Sequence, residues 1–91
     1  MSIPAGYVVT RRTPEFTQDT VPPALLSAHE RKGGAWALIH VLEGKLPYCI
    51  EVPVSESILE PGQPGVIQPQ VPHHVEPIES VRFYLEFHRA P

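Results

Sequence analysis

Five histidines, His29, His40, His73, His74 and His88, are the side chains of this sequence best suited to chemistry. Neutral imidazole is the commonest nitrogen ligand of zinc, nickel and iron, so their number raises the question of a divalent transition metal. Spacing decides which of them can act together. His73 and His74 are consecutive, and consecutive side chains on a strand point to opposite faces, so only one of the pair enters a shared interior. His29 and His73 each stand at the edge of an expected strand beside a turn, where the open ends of β-structures gather functional groups. With Glu86 they supply a two-histidine, one-carboxylate set for Zn, Ni or Fe, and Glu76 is a second carboxylate candidate. His40, between Ile39 and Val41, is expected to be a hydrogen-bonded interior residue, and His88 to be solvated.

Two further side chains could complete a binding site. Lys32 offers a cation to a small oxyanion or else decorates a turn. Trp36 either forms the wall of a small-ligand pocket or plugs the core, with core packing favoured by the usual burial of tryptophan. Nucleophilic catalysis finds no support: there is no Gly-X-Ser-X-Gly elbow, and Cys49 lies in an apolar run and reads as a packed residue. Phosphate loops, Cys-X-X-Cys pairs and the helical His-Glu-X-X-His motif are absent from the sequence, and no catalytic residue is assigned.

The elements that must position these residues are strands. Twelve prolines among 91 residues remove donors and fix φ so often that long helices are excluded and the chain falls into strand-length pieces. Residues 7–11 read as a first strand and 25–29 as a second. Residues 35–42 form a nearly continuous apolar run after Gly33-Gly34, as in a strand buried on both faces. Residues 45–52 and 57–59 follow, with Pro47 suited to an edge or a bulge. The cluster Glu60-Pro61-Gly62-Gln63-Pro64-Gly65 is a turn. In the last run, residues 81–88, Phe83, Leu85 and Phe87 share one face, and Arg82, Tyr84, Glu86 and His88 the other.

Bulk properties bound the function. At this length residues 1–91 make one domain with a thin core, for which self-association, in the simplest case a homodimer, is a natural aid. The 42% hydrophobic and 19% charged residues are those of a folded globule. A net charge of −3 and a pI near 5.9 give no broad positive field, which argues against nucleic acid as a partner. One cysteine permits no internal disulfide, and neither a signal-like start nor a long apolar run is present, so a cytoplasmic protein without a membrane partner is expected.

Several segments together resemble the TehB/YeaR-like family of small cupin-like domains. They are residues 29–36 (His-Glu-Arg-Lys-Gly-Gly-Ala-Trp), 41–46 (Val-Leu-Glu-Gly-Lys-Leu), 69–76 (Pro-Gln-Val-Pro-His-His-Val-Glu) and 83–87 around Glu86. The resemblance spans nearly the whole chain. It implies an all-β, cupin-like double-stranded β-helix, or jelly-roll barrel, frequently dimeric and associated with stress responses such as tellurite or nitrite exposure, without an established reaction. His29, Lys32, Trp36, His73, Glu76 and Glu86 are the positions that match the family's polar and aromatic signature. Ala37 stands where a metal-binding cupin would place its glutamate.

The reading that follows is a small binding domain that takes a divalent metal, a small molecule or an oxyanion at the barrel mouth. A structural or partner-binding protein without a site is the alternative, and a metal-dependent dioxygenase or isomerase the third. His29, His73 and Glu86 are the expected metal ligands; Lys32, Trp36 and Glu76 are the expected ligand contacts.

Overall fold

A computed structural model describes residues 3–26, 35–51 and 54–91. His29 and Lys32 therefore lie outside the described residues, as does most of the second expected strand. Its first residue, Leu25, instead ends a short 3₁₀ turn, Pro23–Leu25, preceded by Pro22, whose fixed φ suits such a start.

The described chain is all β. Its strands are β1 (Val8–Arg12), β2 (Phe16–Thr17), β3 (Trp36–Gly44), β4 (Leu46–Glu51), β5 (Val54–Leu59), β6 (Gly65–Ile67), β7 (His73–Val75) and β8 (Val81–Arg89). One antiparallel sheet has the order β1-β8-β3-β6, with β2 also pairing β8; the other has the order β5-β4-β7. Among the described residues the sheets are not closed into the expected barrel. The two sheets do not join through strand pairing among the described residues, and they share one apolar core.

Long strands β3 and β8 are the centre of that core, and their register explains it. Ala37 opposes Phe87, Ile39 opposes Leu85 and Val41 opposes Phe83, so small and large side chains alternate across one face. Such cross-strand pairs are the unit of sheet stabilisation. β3 is buried on one face only, its even-numbered positions being half-buried, rather than on both as its apolar run suggested. From the other sheet Leu46, Tyr48, Leu59 and Val75 close the core.

Two local devices set the geometry. An irregularity between Val41 and Glu43 restores the pairing so that Glu43 meets Arg82, whose guanidinium lies 3.1 Å from its carboxylate. Gly44 then takes φ +80°, with the Ser80 carbonyl where a Cβ would stand, so only glycine fits. The turn Glu60-Pro61-Gly62-Gln63 has proline at its second position and a positive-φ glycine at its third, closed by Gln63 N–H donating to the Glu60 carbonyl at 2.9 Å.

Candidate functional site

Period-2 alternation distributes the polar side chains over three places: the gap between the sheets and the outer face of each sheet. In the gap, β4 and β5 on one side and β6 with the loop to β7 on the other leave a cleft of about 520 Å³. That volume falls within the roughly 300–1,000 Å³ of small-molecule sites. Its walls are mostly apolar, from Tyr48, Ile50, Ile58, Leu59, Val66 and Val71; Ser55, Ser57, Gln63 and Gln68 add hydrogen-bonding groups. Gly65 lets β6 approach, because a Cβ there would press on the Leu59 side chain at 2.6 Å.

Tyr48 fixes one wall of the cleft, and Gln70 lies in the turn that leads to Val71. The Tyr48 hydroxyl donates to the Val66 carbonyl at 2.8 Å, tying the two sheets together at the cleft wall. Burial pushes its pKa up to about 12, so the group remains a neutral donor. Gln70, in the turn between Gln68 and Val71, has φ 65°, a left-handed conformation that costs a non-glycine residue about 1–2 kcal/mol. Such strain gathers at binding loops.

His73 faces the interior, 1% exposed, with its ring edge-on to that of Tyr48 at 6.1 Å between centroids. It lies directly across from Ile50, on the sheet face that Tyr48 and Ile50 turn to the cleft. His74, its neighbour, faces outward, as the alternation rule requires.

Glu86 lies elsewhere, on the outer face of the larger sheet. Its carboxylate accepts from His88 Nε2 at 3.0 Å, His40 Nε2 at 3.4 Å and Arg12 Nε at 2.8 Å. Burial acts to raise its pKa, but the hydrogen bonds from His88, His40 and Arg12 outweigh it and hold the carboxyl below its ordinary value. His40 also stacks on Tyr84, centroids 5.0 Å apart. His88, expected to be solvated, is instead largely covered and bonded. Trp36, half-buried, pairs with His88 across the strands of this same outer face rather than plugging the core.

The third place is the outer face of the smaller sheet. His74 is bracketed by carboxylates, Nδ1 by Glu51 and Nε2 by Glu76 at 2.9 Å. The Glu76 hydrogen bond, against the opposing effect of burial and together with that of Glu51, raises the His74 pKa. Cys49 lies directly across from His74, and burial first, then the charges of Glu76, Glu56 and Glu51, push its thiol up.

Of the residues singled out from sequence, the fold brings Glu76 to His74 and leaves His73 and Glu86 on opposite sides of a sheet. Three groupings escaped sequence reasoning: the acceptor role of Glu86 for His40, His88 and Arg12; the Cys49 position beside His74; and the serine- and glutamine-bearing cleft. The first two follow from alternation read across paired strands, which requires the register. The third had no local signal, because its walls come from several strands and turns between residues 48 and 71 whose mutual placement depends on which sheet each strand joins.

A family model described as the TehB-like domain matches residues 11–85. The chain is similar to the uncharacterised protein YeaR of Escherichia coli (strain K12), 28% identical over 101 aligned positions that take in 100% of this chain and 85% of the relative. A crystal structure of a protein from the same strain superposes with a TM-score of 0.91 at 28% identity, covering 100% of this chain and 98% of that one. The crystal structure of TehB from Haemophilus influenzae superposes with a TM-score of 0.84 at 26% identity, over 94% of this chain but 32% of that one.

Proposed function

Because the chain belongs to the TehB-like family, we propose that it is a small cytoplasmic binding domain whose ligand is a compact, largely apolar molecule bearing one or two hydrogen-bonding groups. The cleft of about 520 Å³ between the sheets carries this reading. Its apolar walls supply affinity by burial, and Ser55, Ser57, Gln63 and Gln68 supply orientation. Its described lining holds no carboxylate, thiol or imidazole for acid–base or nucleophilic work, which favours binding over turnover.

The finer architecture belongs to the same proposal. Two facing antiparallel sheets, with the cleft opening between them, are the arrangement from which a cupin-type double-stranded β-helix is built. A stress-related role, as the family resemblance implies, would make the ligand a metabolite or a signal held reversibly.

A thermal-shift screen of the full chain against small aromatic and aliphatic acids, amides and alcohols tests the proposal. A true ligand at a hundred times its Kd adds about 2.7 kcal/mol of stability. For a domain of this size that raises Tm by roughly 10 °C or more. Ser57→Trp, which fills the cleft from an exposed β5 position, should remove the shift. A shift of equal size in Ser57→Trp would place binding outside the cleft.

A further inference from the structure

The outer face of the smaller sheet carries a set of donors unrelated to the cleft. Alternation turns Cys49 and Glu51 of β4 outward while Tyr48 and Ile50 face the cleft, and β7 sets His74 directly across from Cys49. Glu76 follows two residues after His74 on the same side. A Cys49 sulfur, a His74 ring nitrogen and a Glu76 carboxylate oxygen all lie within 4.8 Å of one another.

These distances suit one ion. Bonds of about 2.3 Å to sulfur and about 2.0–2.2 Å to nitrogen or oxygen place the ligands of a tetrahedral zinc about 3–4 Å apart. His74 Nε2 and Glu76 Oε2, 2.9 Å apart, are already close to that separation, and the Cys49 sulfur lies within 4.8 Å of a ligand atom of each. The other ring nitrogen is held by Glu51. Metal-ligating histidines are oriented in this way, with one nitrogen on a carboxylate and the other on the ion. Thiolate, imidazole and carboxylate together suit a borderline-soft cation and disfavour magnesium or calcium.

We infer that Cys49, His74 and Glu76 form a three-ligand site for a zinc-class divalent cation, with Glu51 orienting His74 and a fourth position open to water. Without a metal the same face is a histidine bridging two carboxylates, an arrangement in which Cys49 has no part. Cys49 therefore separates the two readings. Because the site points away from the cleft, it stands or falls independently of the proposed ligand.

The experiment strips the full chain with a chelator and titrates it with Co(II), followed by Zn(II). A single equivalent of cobalt should produce a thiolate-to-cobalt charge-transfer band together with the visible absorption of tetrahedral Co(II), and zinc should displace it. Cys49→Ser should abolish the charge-transfer band, and Glu51→Gln should keep it while weakening affinity about 10-fold or more. No charge-transfer band in the unmutated chain at excess cobalt overturns the site whether or not any variant folds. Persistence of the band in Cys49→Ser overturns it equally.

Discussion

His73 and His74, consecutive in the chain, are separated by the thickness of a sheet. The His73 ring is 1% exposed and packs edge-on against Tyr48, whereas the His74 ring lies outside between Glu51 and Glu76. One dipeptide thus serves the core and the surface. Replacing His73 by alanine should leave a cavity and cost about 2–5 kcal/mol, as other large-to-small core changes do. His74→Ala should cost clearly less, since partly exposed ion pairs contribute little. Urea unfolding of the two variants checks the order, and equal losses would contradict it.

Acid should attack this fold through Glu86. Its folded pKa lies below the ordinary carboxyl value, so the stabilisation is complete above the unfolded pKa, about 4.3. It is lost as pH falls through the folded value. Glu86→Gln should therefore flatten the stability curve below about pH 4.5, and should lower stability at neutral pH by removing the negative partner of Arg12, His40 and His88. Chemical denaturation at a series of pH values provides the readout; an unchanged acid limb in Glu86→Gln would show that the carboxylate is not responsible.

Gly44→Ala should be far more damaging than Gly6→Ala or Gly62→Ala. All three glycines have positive φ, which costs alanine about 1–2 kcal/mol. Only at Gly44 does the added Cβ also meet a backbone carbonyl, that of Ser80, while at the other two it meets open space. Thermal unfolding of the three variants measures the difference, and similar losses at all three would mean that the β3–β4 corner relaxes freely.

Much of this fold is legible in the residues themselves. The alternation of residues 81–88 fixes which face of β8 is core, and the Glu-Pro-Gly-Gln turn falls where its chemistry requires. The run 35–42 misled, because Trp36, Leu38 and His40 are apolar or aromatic in type yet line a half-buried outer face. Cys49 is packed, as its apolar run predicts, but only its pairing with His74 and Glu56 shows which face of the sheet it lies on. The separation of His73 from Glu86 depends on which sheet each strand joins, which no local pattern encodes. The cleft depends on how far apart two sheets sit, and that is settled by packing between them, such as Gly65 against Leu59 and the Tyr48 hydroxyl on the Val66 carbonyl.

Ligand occupancy of the cleft is most directly read by amide chemical-shift mapping of the isotope-labelled full chain, titrated with the compound giving the largest thermal shift. Saturable perturbations concentrated at Tyr48, Ile50, Ser57, Val66, Gln68 and Val71, and absent in Ser57→Trp, are the expected result. Perturbations that avoid these residues, or that survive unchanged in Ser57→Trp, would contradict the cleft as the binding site.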